Sequence, residues 1–400
     1  MGGLFILLGL ACAAGVMADD FEFFGPPHYE QTPLGNSIDV STMKVLKTAY
    51  QAARDKNIVS SPLGLMMLLS LYNEGTGPAA KSEITKFLGG TDSKQASDSF
   101  KELSESLSRV DPSYLTVANK ISVSNKFTFN EKFLEVARGF RCDVDALDFS
   151  KPEEAAAIIN KWAAEKTQGH ITKPVSADAL LPGTAAALFN VIFFRGHWHV
   201  PFNKNDTKDK DFHVSRDTVV KKPMMHLFQS LYYTESAKLG ARMVELPYKE
   251  KGFRMVIVLP NEVDGLSSVL DKVAEHGLLS DVFSLRPSGR DVDLDMPKFS
   301  VRTQLDFNGI LPKVGVSKIF EEGAPGIVKN VPVKVSKTFQ EAFIEVDEEG
   351  ATAGAFTGAI AVPNSSFYEP PPPMKFTVDH PFLYMILFED KVLFAGTYTH

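Results

Sequence analysis

The chain has 400 residues, 44% hydrophobic and 23% charged, the composition of an ordinary globular protein with a sizeable core. That length allows two or three domains, or one large mixed domain. A formal net charge of −7 argues against nonspecific nucleic-acid binding, and no Lys/Arg run beyond Lys221-Lys222 offers a patch for polyanions or lipid headgroups.

The chain opens with an apolar run, Leu4 to Val16, closed by Val16-Met17-Ala18 and then Asp19-Asp20. Short residues at minus three and minus one predict a signal peptide over 1–18, hence a secreted, extracellular protein. The run is too short to span a membrane, and no later one approaches the needed length. Cleavage would remove Cys12 and leave Cys142 alone, so the mature chain could form no internal disulfide. Residues 19–36 are Pro- and aromatic-rich and read as an extended tail.

Helical periodicity begins at Ile38 and runs to Arg54. Ser60-Ser61-Pro62 then opens an apolar helix, LGLMMLLSLYNEG, expected to be buried on several faces. Lys81–Leu88, Asp92–Leu107, Asn130–Arg138 and Pro152–Gln168 read as further helices, with a strand at Leu115–Val123. After Asp178 strands dominate: Ala186–Gly196, Leu231–Thr234, Arg242–Leu246, Arg254–Leu259, Val292–Met296, Phe339–Glu345, and PFLYMILF with VLFAGTYT at the end. Helices return at Leu266–His276 and Leu305–Leu311. Helices first and strands later favour an α+β fold over alternating α/β. Pro370 to Pro373 reads as extended polyproline.

No chemistry-bearing motif of an enzyme is present. There is no G-x-S-x-G elbow, Walker loop, H-E-x-x-H or CxxC pair. His197 and His199 fall at strand spacing, but no further ligands stand near them in sequence, and no metal or cofactor site is read. The adjacent carboxylates Glu348 and Glu349 would point apart on extended backbone, unlike an acid/base pair. Two N-x-[ST] sequons mark possible glycans at Asn205 and Asn364.

Several segments together resemble the serpins. IEVDEEGA, from Ile344 to Ala351, is similar to their hinge signature, and NIVSSP at 57–62 to the start of a buried helix. FNVIFFRGHWHVPF at 189–202 matches the family's Asn-x-Ile-x-Phe-x-Gly-x-Trp-x-x-Pro-Phe strand. VKKPMM at 220–225, LPYKEKGFRMVIVLPNE at 246–262, DMPKF at 295–299 and DHPFLYMILFEDKVLFAGT at 379–397 follow in order. The resemblance spans roughly Ser37 to Tyr398. It implies a single domain over 37–400 with three β-sheets, eight or nine helices and an exposed reactive-centre loop at about 348–374.

The resemblance also implies a mechanism. The loop offers a scissile bond to a protease, and after cleavage it inserts into a large sheet as a new strand, carrying the trapped acyl-enzyme. On period-two alternation Ala351, Ala353, Ala355 and Thr357 share one face beyond Gly350, all small, while Phe356 falls on the other. Small residues on one face suit insertion between strands over a packed core.

Glu348 matches the family's acidic hinge residue, and Lys298 its usual ion-pair partner. Ser61, Asn190 and Gln340 match the positions that hold the sheet shut, with Trp198 near the same region. Three departures stand out: Gly64 replaces a usual Ser, Gln340 a usual His, and Ala351-Thr352 the usual Thr and Glu.

Family spacing places the scissile bond at Asn364-Ser365, where a glycan on Asn364 would block a specificity pocket; Ile360-Ala361-Val362 is the alternative bait. No Lys or Arg occurs from Glu349 to Met374, so a trypsin-like target is not expected. A papain-like cysteine protease or an elastase- or chymotrypsin-like serine protease fits better. The expected partner is that protease, with the protein a monomer. The alternative is a non-inhibitory serpin acting as carrier, chaperone or signalling ligand.

Overall fold

The computed structural model describes residues 30–53, 56–90, 92–349 and 371–400. Residues 1–18, expected as a signal peptide, residues 19–29 of the expected tail, and every expected loop position from Gly350 through Ser365 lie outside the described residues.

Nine α-helices occur among the described residues: α1 (Pro33–Ala52), α2 (Pro62–Asn73), α3 (Pro78–Phe87), α4 (Ser93–Leu107), α5 (Glu131–Gly139), α6 (Pro152–Lys166), α7 (Leu266–His276), α8 (Leu279–Val282) and α9 (Lys318–Glu321). The strands are β1 (Ile58–Ser60), β2 (Leu115–Ser124), β3 (Asp143–Leu147), β4 (Ala186–Phe194), β5 (Lys208–Ser215), β6 (Thr218–Ser236), β7 (Ala241–Pro247), β8 (Phe253–Pro260), β9 (Arg286–Pro297), β10 (Phe299–Asp306), β11 (Val335–Val346), β12 (Met374–Thr377), β13 (Phe382–Phe388) and β14 (Lys391–Tyr398).

Two differences from the sequence reading have local causes. Helix α1 begins at Pro33, inside the expected tail: Thr32 caps it by accepting from the Gly35 amide at 3.0 Å, and Pro33 suits the first turn. Asp390, far away in sequence, anchors that cap by accepting from the Thr32 amide at 3.0 Å. The expected helix at Leu305–Leu311 is instead the end of β10, a turn, and a short 3-10 helix at Leu311–Val314. Pairing with β11 holds Leu305 and Asp306 extended, opposite Gln340 and Phe339.

The implied three sheets are connected into two hydrogen-bonded networks. One runs β1-β14-β13-β8-β7-β6-β9-β12, with β5 also on β6. The 19-residue β6 makes it continuous, pairing β5 and β9 along its first stretch and β7 along its last. The other has five strands in the order β10-β11-β4-β2-β3. Within it β10–β11 and β2–β4 are antiparallel, while β11–β4 and β2–β3 are parallel.

β4 is buried along its whole length, as an unbroken apolar run requires when both faces are covered. Leu188, Ile192 and Phe194 face the main core, which includes the wholly buried α2. Phe189 and Val191 face the other way, onto Ile159, Trp162 and Ala163 of α6. The five-stranded sheet is thus sandwiched between the main core and α6.

A buried carboxylate ties α1 to α8. Asp39 accepts from the Leu278 and Leu279 amides at 2.7 and 2.8 Å. Gly277 turns at φ +80°, and a Cβ there would meet Asp39 at 2.1 Å. Burial raises the Asp39 pKa to about 6 despite the two amides. Between its ordinary value and about 6, the folded state holds a proton that the unfolded state has released. This contribution to stability is therefore full below the ordinary value and is lost as pH rises through about 6. Asp39→Asn is expected to remove that slope: between pH 4 and 6.5, wild type minus variant should change by up to about 3 kcal/mol, measured by denaturant unfolding. A flat difference would contradict it.

Candidate functional site

The site lies along the seam between β4 and β11 and at the end of β11, where the chain leaves toward residue 350. Glu348 is buried there. Lys298 Nζ donates to Glu348 Oε2 at 2.6 Å, Thr207 Oγ1 donates to Oε1 at 2.8 Å, and the Phe202 amide donates to its carbonyl at 2.9 Å. Lys298 is in place because Phe299 pairs with Val346, which sets the link between β9 and β10 beside the end of β11. Burial pushes the Glu348 carboxyl up, but the hydrogen bonds from Lys298 and Thr207 outweigh it and hold it below the ordinary carboxylate range. Glu349 turns the other way and pairs with Lys204. Trp198 donates from Nε1 to the Asp347 carbonyl at 2.7 Å and stacks on Tyr248 at 4.5 Å. It therefore grips the same exit and is separate from the hydrogen-bond network inside the sheet.

That network sits halfway down the seam. Gln340 of β11 and Asn190 of β4 are direct neighbours in the parallel register. Gln340 Nε2 donates to Asn190 Oδ1 at 2.7 Å and to the Ser61 carbonyl at 2.6 Å. Its Oε1 accepts from Ser60 Oγ at 3.0 Å and the Ser61 amide at 2.9 Å. Asn190 Nδ2 continues the chain to Asn119 Oδ1 of β2 at 2.8 Å. Side chains or main chain of β1, the residue before α2, β11, β4 and β2 are joined in one buried network.

Ser61 enters this network through its main chain. Its hydroxyl has no hydrogen-bond partner among the described residues, so the expected involvement of Ser61 is carried by its amide and carbonyl alone. Sequence reasoning missed Ser60 and Asn119. Ser60 was within reach, as the other half of the Ser-Ser pair. Asn119 carries no local signal, because only the register Asn119↔Asn190 brings it there. The structure also accounts for Gly64: a Cβ at that position would lie 2.2 Å from Asn190 Nδ2, so the Asn190 amide occupies the space a larger residue would take.

The outer face of the seam is closed by aromatics and by a strap. Phe189 stacks with Phe339 at 5.6 Å and Phe193 with Phe343 at 5.9 Å, each pair spanning β4 and β11. His170 stacks on Phe193 at 3.8 Å, and Arg302 lies over Phe343 at 4.6 Å. The segment after α6 crosses here. Arg302 and Gln304 of β10 donate to its His170 and Lys173 carbonyls at 2.7 and 3.0 Å. Both also pair with buried Glu341, at 2.7 and 3.1 Å. The strap is carried by α6, whose Asn160 exchanges hydrogen bonds with Val175, yet it is fastened to β10 on the other side of the seam.

The remaining candidates stand apart. Asn205 is exposed in a short 3-10 turn, open to a glycan. His197 faces Glu250 at 2.7 Å, and His199 lies outside any named strand. Gly350, Ala351, Ala353, Ala355, Thr357, Ile360, Ala361, Val362, Asn364 and Ser365 lie outside the described residues.

Fold and seam together define a protein whose five-stranded sheet is closed along a polar line, beside the point where the chain leaves β11 past an anchored Glu348. Residues 37–400 match the family model described as "Serpin (serine protease inhibitor)", and the chain belongs to the serpin family. It is similar to "Antitrypsin" of Bombyx mori, 32% identical over 91% of this chain and 93% of that protein. It is also similar to "Alaserpin" of Manduca sexta, at 31% over 92% and 93%. Among solved structures it resembles Serpin48 of Tenebrio molitor, described as a highly specific serpin, with a TM-score of 0.80, 31% identity and 93% of this chain matched to 99% of that one. The native stressed conformation of Arabidopsis AtSerpin1 gives a TM-score of 0.82 at 26% identity, with 92% and 98% covered.

Gly64→Ala tests the seam. Its Cβ would displace the Asn190 amide from Gln340 and Asn119, leaving buried polar groups unmade, and the protein should lose about 2 kcal/mol or more. Combined with Asn190→Ala, which removes the obstacle, the loss should fall well short of the sum of the two single changes. Additive losses in denaturant unfolding would contradict the contact.

Proposed function

We propose that this serpin is a suicide-substrate protease inhibitor that takes its own cleaved loop into the β4–β11 seam. The observation that carries the reading is the direct parallel pairing of β11 with β4, next to an anchored exit at Glu348. β11 has a partner strand on both sides, so a strand arriving from its own end must displace β4 or β10. Running back antiparallel to β11, it would turn the parallel β11–β4 pair into two antiparallel pairs. Insertion at the β10–β11 side would instead exchange an antiparallel pair for an antiparallel and a parallel one. Parallel pairing is slightly weaker per residue, so the β4–β11 seam is the favoured gap.

The trapping step follows the chemistry of acyl transfer. The protease nucleophile attacks the scissile carbonyl, the new amine terminus of the loop leaves, and the acyl bond to the enzyme remains. Insertion then carries that acyl-enzyme away from the cleavage position before water completes the reaction. The small residues Ala351, Ala353, Ala355 and Thr357 support the insertion step.

For the target we infer a non-trypsin-like enzyme, because no basic residue lies between Glu349 and Met374. The name of the Bombyx mori relative does not carry over to this chain. An elastase- or chymotrypsin-like serine protease, or a papain-like cysteine protease, suits Ile360-Ala361-Val362 or Asn364-Ser365. Residues 1–18 support secretion, where such a protease would be met, and no described helix is long and apolar enough to cross a membrane.

The protein incubated with elastase, chymotrypsin, papain and trypsin and then denatured should give a detergent-stable covalent band with at least one of the first three and not with trypsin. Cleavage by all four without a band would favour a non-inhibitory carrier, chaperone or signalling role. Cutting the loop should also raise the unfolding midpoint sharply by calorimetry; an unchanged midpoint would mean that the loop stays out. Mature protein from a secreting host should begin at Asp19, and N-terminal sequencing checks this.

A further inference from the structure

On the outer face of the larger sheet, His226, Asp293 and Asp295 converge. Asp293 and Asp295 are two residues apart on β9, so they project to the same side. His226 of β6 is paired directly with Asp295. Its Nδ1 lies 3.3 Å from Asp295 Oδ1 and 3.5 Å from Asp293 Oδ1. All three ligand atoms fall within 4.8 Å of one another, and each residue is half-buried, open to ions from solution.

The two distances from His226 Nδ1 to the carboxylates are compatible with a shared metal ion. A tetrahedral zinc ion with bonds of about 2.0–2.2 Å holds its ligand atoms roughly 3.3–3.5 Å apart. The ligand set also suits zinc, with one imidazole nitrogen and two carboxylate oxygens, leaving a fourth position for water. Its scaffold is two hydrogen-bonded strands, which hold side chains more firmly than loops do. We propose that His226, Asp293 and Asp295 form a divalent-cation site, best suited to zinc.

One group competes for the site. Lys210 Nζ pairs with Asp295 Oδ1 at 2.6 Å. His226 Nδ1 is also at hydrogen-bond distance from Asp295 Oδ1, so a dication entering the cluster would take the place of that proton bridge as well as of the ammonium. Lys210 is on β5 with its ammonium partly in solvent, so it can swing away when a dication arrives. Lys375 of β12 is paired with Asp293 in the parallel register and is exposed.

The position gives the site a consequence. β9 carries β12 on its other edge, with Lys375 and Thr377 beside Asp293 and Asp295. β12 is the first strand after residues 351–370, so a cation joining β6 to β9 would stiffen the platform to which the far end of that segment is attached.

The test is a calorimetric titration of the full chain with zinc chloride alone. One saturating equivalent is expected, with affinity at least about tenfold lower in His226→Gln, which keeps an N–H donor for the carboxylates. Lys210→Met should bind more tightly than wild type. Thermal unfolding without zinc checks that the variants fold, and zinc should raise the midpoint of wild type but not that of His226→Gln. No saturable binding, or equal binding by His226→Gln and wild type, would overturn the site. Neither result bears on whether the protein traps proteases.

Discussion

The contact on which the sheet depends is the amide pair Gln340–Asn190, 2.7 Å across the β4–β11 seam. A buried amide that loses its partner costs more than the bond itself contributes, because no water replaces it. Separating the strands would strand both amides, together with Ser60, the Ser61 main chain and Asn119. An apolar seam would resist separation in proportion to its area. A polar one resists further, because each buried group that loses its partner adds its own desolvation cost. Gln340 cannot titrate, so this closure keeps one protonation state where a His in its place would gain charge below neutral pH.

The two faces of the seam are closed by different physics. Inside, hydrogen bonds of fixed direction set the register, and the absence of a side chain at Gly64 makes room for Asn190. Outside, stacked phenylalanines bury apolar area, and the strap after α6 is tied to β10 through Arg302 and Gln304. Because that strap belongs to one half of the sheet and is fastened to the other, opening must release it as well. At the exit, Glu348 holds the end of β11 with a carboxylate kept ionised by Lys298 and Thr207.

Much of this was legible beforehand for identifiable reasons. α2 and α7 have strong apolar patterning and match their expected spans closely. The Lys298–Glu348 contact and the Asn190–Gln340 pair followed from motif resemblance, with no need to know distances. What misled was local pattern without partners. Pro33 to Asn36 read as tail because the Asp390 anchor of their cap lies at the other end of the chain. Leu305 read as helical because β11 could not be seen beside it. The His226 cluster escaped notice because its residues are separated by nearly seventy positions and carry no motif spacing.

Sequence alone determined the α+β class, the family, a buried strand starting at Ala186, read two residues past its end at Phe194, and the lack of any basic residue from Glu349 to Met374. These properties are periodicities or short motifs, and they survive in one dimension. Only the tertiary structure decided how β6 joins β5, β7 and β9 into one network, that Ser61 works through its backbone, that Asn119 extends the hydrogen-bond chain and that Arg302 fastens the strap. Each depends on strand register, and register is set by packing between segments that the sequence does not place side by side.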